Sequence, residues 1–261
     1  MDDSETVKKF YDGQYDESVR ESRTPLEFIR SRIIISRYLT PKMTIADIAG
    51  GVGAYSFWLA GLGHTVHLLD LSQKHIDYAV KRGSETNRLA SCVCGDARDL
   101  PYENESMDMV LLMGALYHLQ DINDRRKCLF EARRVLKNEG VIICTAIGRY
   151  AALIGNYKWG NIDENNMRLV DESVKTGNYS NPPWFTVSYY HTPNEIFNEA
   201  SEFFSDVKLI AVEGFANAVN TDDYLSDEYK KLQLLRHIEM TESVPELMGV
   251  SKNIMAVGYK K

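Results

Sequence analysis

Residues 45–56 read Ile45-Ala46-Asp47-Ile48-Ala49-Gly50-Gly51-Val52-Gly53-Ala54-Tyr55-Ser56, and this stretch decides the fold. Ile45, Ala46, Ile48 and Ala49 form a short apolar run broken by one carboxylate, Asp47. A run of this kind suits a parallel strand covered on both faces. Gly50, Gly51 and Gly53 then remove side chains where the backbone must turn sharply or approach a ligand closely. Ala54 to Leu62 resumes as a helix, whose first N–H groups lack partners within the helix and favour an anion or polar group. Together these predict a nucleotide-type site at the carboxyl end of a strand. The dinucleotide fingerprint is imperfect, because Ser56 stands where its third glycine belongs.

The alternation continues outward from this unit. Gly61 and Gly63 end the helix, and residues 65–70 form a second strand that stops on Asp70. That carboxylate is placed to accept both hydroxyls of a ribose. Ser72 caps a helix over 73–82. A third strand, 90–94, leads into Gly95-Asp96-Ala97. A fourth, 107–113, leads into Gly114-Ala115-Leu116-Tyr117-His118-Leu119. Asp121 caps a helix running to about Lys137, Asn138-Glu139-Gly140 turns, and a fifth strand covers 141–147. Alternating strands and helices predict a parallel sheet with right-handed crossovers.

Residues 1–40 read as an N-terminal helical lid. Leu26, Phe28, Ile29, Ile33, Ile34, Ile35, Tyr38 and Leu39 recur at helical spacing until Thr40-Pro41 stops them. Tyr11, Tyr15 and Arg20 lie in its more polar part. Residues 41–147 form the core, and 148–191 an inserted cap rich in Asn, Gly and aromatics, including Pro182-Pro183-Trp184-Phe185. Residues 192–261 complete the sheet with a helix at 193–203, a strand at 206–213, a helix at 222–239 and a last strand at 252–259.

Composition narrows the function. Of the 261 residues, 44% are hydrophobic and 26% charged, which suits a sizeable core. The net charge of −7 argues against a general nucleic-acid or anionic-membrane binder. Cys92, Cys94, Cys128 and Cys144 lack zinc spacing, so no metal site is expected, and free thiols point to a reducing cytoplasm. The start Asp2-Asp3-Ser4-Glu5 is no signal peptide, and no apolar run reaches membrane-spanning length.

Asp47-Ile-Ala-Gly-Gly-Val-Gly53, Asp70, Gly95-Asp96-Ala97 and Arg134-Val-Leu-Lys-Asn-Glu-Gly140 before the fifth strand resemble the class I S-adenosylmethionine-dependent methyltransferases. The likeness is close over residues 40–147. Leu111 to Leu119, with Ala146-Ile-Gly-Arg149, looks like a bacterial small-molecule branch. One departure is Ala49, where the family usually has glycine; the turn is expected to survive it. The resemblance implies a Rossmann-like, doubly wound, seven-stranded sheet, mostly parallel, with the last strand antiparallel. It implies that the Gly50, Gly51 and Gly53 backbone approaches the methionine part of S-adenosyl-L-methionine, and that Asp47 orients the turn or meets the cofactor's amino group. Asp70 would hold the ribose, Leu71 would lie beside the adenine, Asp96 and Ala97 would bond the adenine, and Met113 and Gly114 would line the floor near the methyl group.

For the acceptor, His118 and His191 are candidate bases. His118 alternatively fixes its loop, and His191 alternatively packs before the helix at Pro193. Tyr117, Arg149, Tyr150 and Tyr189, with Tyr179, Phe185 and Tyr190, are candidate pocket walls. Arg149 is suited to grip a carboxylate or phosphate, or else to pair with Glu213 or another acid. The function expected is methyl transfer to a small-molecule acceptor. The alternatives are a nicotinamide-dependent dehydrogenase and a non-catalytic cofactor-binding regulatory protein. Oligomeric state is not readable.

Overall fold

A computed structural model describes residues 3–13, 15–85, 88–182 and 184–261. Asp2 of the acidic start and Pro183 of the aromatic insertion lie outside the described residues. The chain opens with α1 (Asp3–Asp12), α2 (Arg20–Arg23) and α3 (Pro25–Ser36). Pro25 sits in the first turn of α3, where its missing N–H costs nothing. Then come β1 (Thr44–Ile48), α4 (Ala54–Gly61), β2 (Thr65–Asp70), α5 (Gln73–Glu85), β3 (Ser91–Cys94), β4 (Met107–Leu112), α6 (Ile122–Val135) and β5 (Leu136–Gly148).

The sheet runs β3-β2-β1-β4-β5, with every neighbour parallel. The apolar runs of β1 and β4 earn this central position, because both faces of each strand are covered. Ile45, Met109 and Leu111 pack into a core on one face, with Phe28, Ile34 and Leu59. Ala46, Ile48, Val110 and Leu112 pack on the other, with Leu129, Ala132 and Val135 of α6.

β5 begins earlier than the sequence pattern indicates. The expected turn at Asn138-Glu139-Gly140 is a bulged part of the strand. Glu139 has φ +62°, the register against β4 shifts between Met107 and Met109, and the Glu139 N–H and Gly140 carbonyl still bond Lys260. A bulge holds an extra residue while pairing continues on either side.

Beyond β5 lie α7 (Ala151–Trp159), α8 (Glu164–Thr176), β6 (Asn178–Asn181) and β7 (Phe185–His191). The inserted segment is therefore a helix pair and a hairpin. The end of β7 runs parallel beside the end of β5, through Ile147–Tyr190 and Gly148–His191. Its aromatics make a small core with Tyr117, Ile147, Ala152, Val170 and Tyr190.

The chain closes with α9 (Pro193–Ser201), β8 (Ser205–Ala211), α10 (Asp222–Leu225), α11 (Glu228–Thr241), α12 (Pro245–Met248) and β9 (Asn253–Tyr259). The single helix expected over 222–239 is broken in two, because the Asp227 side chain caps a new start at the Lys230 N–H. β9 lies antiparallel between β5 and β8. Seven strands thus form the main sheet, the last of them antiparallel, and the hairpin extends it at the carboxyl end of β5.

Candidate functional site

The carboxyl ends of β1, β2, β3 and β4 open on one cavity of about 710 Å³, space open to solvent included. Its walls include Ala49 and Gly51 after β1, Asp70, Leu71 and Ser72 after β2, Gly95, Asp96 and Ala97 after β3, and Gly114, Tyr117 and His118 after β4. Ser4, Val7, Lys8 and Tyr11 of α1 roof it.

The turn after β1 is tightly determined. Gly51 has φ +58°, a conformation that L side chains rarely adopt. Its backbone N–H donates to Asp70 Oδ2 at 2.8 Å. Ala49 also has a positive φ, +56°, so the turn survives alanine with the backbone held in the left-handed region. The loop after β4 presses against it, since a Cβ on Gly114 would lie 2.7 Å from the Ala49 carbonyl oxygen. Asp47 is fully buried beneath this turn and accepts from Ser56 Oγ at 2.6 Å. Burial pushes its carboxyl up to about 6. Ser56 therefore serves the turn's interior, and Asp47 acts on the turn from below and does not line the cavity.

Asp70 organises the middle of the cavity. Besides Gly51, it receives the Ser72 N–H at 2.9 Å and His75 Nδ1 at 3.0 Å. His75 is itself in the cavity wall, buried, and its Nε2 has no hydrogen-bond partner. Asp96 is braced by Arg98, whose guanidinium also bonds Asp124 and Ser4 Oγ of α1. Leu71, Ala97 and Gly114 line the cavity, whereas Gly50 and Met113 line a smaller cleft on the other side of Glu17 and Arg20. Gly53 starts α4 with φ +81°.

A second cavity, of about 1660 Å³ including space open to solvent, adjoins the first. Tyr11, Glu17, Arg20 and Tyr117 line both. The remaining walls combine aromatics (Tyr15, Trp159, Tyr179, Trp184, Phe185 and Tyr190) with charged side chains, among them Arg23, Glu27, Lys158, Glu213, Asp222 and Lys252. Arg20 bonds Glu17 at 3.1 Å and Glu27 at 2.6 Å. Although burial pushes Glu27 up, Arg20 and Lys252 prevail and hold its carboxyl at about 2. Burial raises Glu17 and pushes Tyr117 up to about 12.

His118 lines the first cavity and meets Tyr11, one of the four shared residues. Its Nδ1 is 3.2 Å from the Val187 carbonyl and its Nε2 2.8 Å from the Tyr11 hydroxyl. A carbonyl only accepts, so Nδ1 carries the proton and Nε2 accepts from Tyr11. Burial lowers His118 to about 4 and raises Tyr11 well above its ordinary value, so at neutral pH the imidazole is neutral and the phenol protonated.

Of the acceptor-side candidates, the structure brings Tyr117, Tyr179, Phe185 and Tyr190 into the cavity walls and leaves the following four out of them. His191 is fully buried behind β7, 3.5 Å from Glu199 and lowered by burial. Arg149 is buried and held by Glu195, at 2.7 and 2.8 Å, and by the Tyr190 carbonyl. The acid it pairs with is thus Glu195; Glu213 bonds Ser251 and Asn253 instead. Tyr189 bonds Glu195 and lies under the Arg125 guanidinium at 3.9 Å. Tyr150 is partly exposed at the start of α7. Of the seven candidate wall residues, Tyr117 alone lines both cavities. Sequence reading missed His75, Glu17 and Arg98. An i, i+5 Asp–His pair at a strand end was the one signal available for His75. Among the described residues no cluster of three or more His, Cys, Asp or Glu is arranged to hold a metal.

Comparison with known proteins agrees with this geometry. Residues 46–144 match the model of a methyltransferase domain. The chain is 32% identical over 112 residues to a ubiquinone/menaquinone biosynthesis C-methyltransferase of Acidiphilium cryptum, covering 42% of this chain and 44% of that one. It is 33% identical over 116 residues to a demethylmenaquinone methyltransferase of Clavibacter sepedonicus, covering 43% and 46%. The chain therefore spans less than half the length of these curated relatives. In fold it is similar to a solved S-adenosylmethionine-dependent methyltransferase of Methanosarcina mazei, with TM-score 0.59, 15% identity, and coverage of 87% of this chain and 96% of that one. The strand order, the loops at the strand ends and the matched segment agree: residues 46–144 are similar to a methyltransferase domain, and the fold is that of solved S-adenosylmethionine-dependent methyltransferases.

Proposed function

We propose that this protein transfers a methyl group from S-adenosyl-L-methionine to a small organic acceptor held in the aromatic cavity. The observation that carries this reading is the meeting of two cavities at Tyr11, Glu17, Arg20 and Tyr117. One is lined by strand-end backbone and the strand-end carboxylates Asp70 and Asp96, the other by aromatic and charged side chains. A two-substrate displacement needs that arrangement, with each partner held on its own side of one contact point.

The residues present fit the cofactor. Asp70 keeps accepting capacity beyond its three contacts and is placed for ribose hydroxyls, and Leu71 and Ala97 offer apolar surface beside an adenine. Asp96 is the candidate acceptor for the adenine amino group. The bare Gly51 backbone, with Gly50 and Gly53 shaping the turn and Asp47 supporting it, leaves room for the rest. Gly114 belongs to the floor of this cavity and Met113 to that of the adjoining cleft. When bound, the cofactor supplies an electrophilic methyl on a sulfonium, and its leaving group is neutral and needs no acid.

The chain's own residues then align, dry and deprotonate. Tyr117 and the aromatic walls orient the acceptor. Residues 1–40, as a lid, keep water out through α1. His118 Nε2, neutral at working pH, takes a proton from an acceptor hydroxyl directly or through Tyr11. A base lowered to about 4 is available but weak, so alignment carries more of the rate than proton removal. His191 and Tyr189 of β7, with Arg149 on the Tyr190 carbonyl, act behind the wall by holding β7 in place, whereas Tyr150 lies apart beside Gly249. The relatives named for quinones support a planar acceptor of moderate size, and the acidic net charge supports a small molecule over nucleic acid.

The test is calorimetric titration with S-adenosylhomocysteine, followed by methyl transfer from labelled cofactor into small-molecule extracts. Micromolar binding that weakens in both Asp70→Ala and Asp96→Ala is expected. No binding at all, or binding indifferent to both changes, overturns the site assignment.

A further inference from the structure

We propose that Glu17 and Arg20 form a charge clamp for the amino-acid end of the cofactor, and that this clamp selects the whole cofactor over its truncated thioether. The inference rests on the cofactor reading above and adds to it the recognition of a part of the ligand that the strand-end carboxylates do not reach.

The sheet order fixes the direction. β3, β2, β1 and β4 are consecutive neighbours, and three strand spacings of about 4.8 Å span about 14 Å. With a base at the Asp96 end and a ribose at Asp70, the remainder of a long ligand must run toward Ala49, Gly51 and Gly114. Glu17 covers that end. A Cβ on Gly51 would lie 3.0 Å from Glu17 Cγ, so the Glu17 side chain rests directly on the bare backbone. Arg20 lies one helical turn on and donates to Glu17 Oε1 at 3.1 Å. Both residues line the first cavity and the smaller cleft beyond it, floored by Gly50 and Met113.

An amino-acid end carries one ammonium and one carboxylate. It needs an acceptor and a donor side by side, which this pair presents to one space. Arg20 is suited to the donor role because its other nitrogen is anchored on buried Glu27 at 2.6 Å, which fixes the guanidinium plane. Neither residue belongs to the segment that matches the methyltransferase model, residues 46–144. The clamp lies in the N-terminal segment, ahead of the matched core.

The test compares two ligands on the full chain by calorimetry. S-adenosylhomocysteine carries the amino-acid end; 5′-methylthioadenosine keeps the adenosyl group and thioether but lacks that end. Wild type is expected to bind the first at least about tenfold more tightly, the scale of one charge-assisted hydrogen bond. Glu17→Gln and Arg20→Met are each expected to lose about tenfold on S-adenosylhomocysteine and to leave 5′-methylthioadenosine unchanged. Equal wild-type affinity for the two ligands overturns the clamp alone, and needs no variant to fold. Variants that weaken both ligands equally, or neither, also overturn it. A wild type that binds neither ligand overturns the cofactor reading and the clamp with it.

Discussion

The two cavities that meet at Tyr117 are built in opposite ways. The first takes its walls from loops at the ends of four adjacent parallel strands. Backbone does much of the lining there, and the acids are fixed by short local bonds such as Gly51 N–H to Asp70 and Arg98 to Asp96. The second takes its walls from side chains contributed by α2, α3, α7, the β6–β7 hairpin and the end of the chain. Its charges are fixed by contacts between residues far apart in sequence, such as Lys252 with Glu27. A backbone cavity on a buried sheet holds one shape and suits a constant ligand. A side-chain cavity changes with a few substitutions and suits an acceptor that varies between relatives.

The largest effect is expected where the second region is anchored. Arg125 and Glu199 form a buried, two-bond pair at 2.8 Å behind β7. Arg125→Met strands that carboxylate, and a loss of about 3–5 kcal/mol is expected, read from urea unfolding. An additional early transition, with binding of S-adenosylhomocysteine retained, would show that the cap can fail while the strand-end cavity stands.

The junction responds to pH. His118 is lowered to about 4, against about 6.5 for an unfolded histidine. As pH falls from 6.5 to 4 the unfolded chain takes up a proton that the folded chain refuses, so stability is lost across that window by about 3 kcal/mol. Asp47, raised to about 6, acts in the opposite sense, because the folded form holds its proton first as pH falls. The difference between wild type and His118→Asn removes that contribution. The variant is expected to lose less stability between pH 6.5 and 4, as measured by denaturant melts at several pH values.

Smaller effects lie in the first cavity. Asp70→Ala is expected to cost about 1.5–3 kcal/mol of S-adenosylhomocysteine binding, the scale of a hydrogen bond to a charged group, with little change in acceptor affinity. Calorimetry of both ligands checks it. Ala49→Gly is expected to raise stability by no more than about 1 kcal/mol, since relief of the positive φ is partly offset by the freedom glycine has when unfolded. Thermal melting resolves that shift.

The same contrast explains what the sequence made legible. β1 and β4 are written in near-continuous apolar runs, because a central parallel strand is buried on both faces, and the loops carrying Asp70, Asp96 and Gly114 are marked by the acid or glycine that follows each strand. Those loops do converge on one cavity. The Tyr11–His118 bond joins residues 107 positions apart, and no local pattern predicts such a pair. Arg149 illustrates the limit. Its residue type suited a ligand, and an ion pair with an acid was the open alternative. The hairpin turned its guanidinium toward Glu195, whose carboxylate also accepts the Thr192 N–H at the start of α9. The bulge at Glu139 and the break at Asp227 were hidden because each depends on one residue's backbone or cap, not on a repeating pattern.

The helix α1 closes over the first cavity and is pinned at several separate points: Asp3 to the Gln120 N–H, Ser4 to Arg98, Tyr11 to His118, and Asp12 to Ser72. Entry and exit beneath such a roof require these ties to yield together. Each one that keeps the chamber dry also lengthens the stay of a spent molecule inside it. Under the proposed function, substitutions at Asp3 or Asp12, remote from any reacting atom, are expected to quicken the tempo of repeated cycles by loosening the roof.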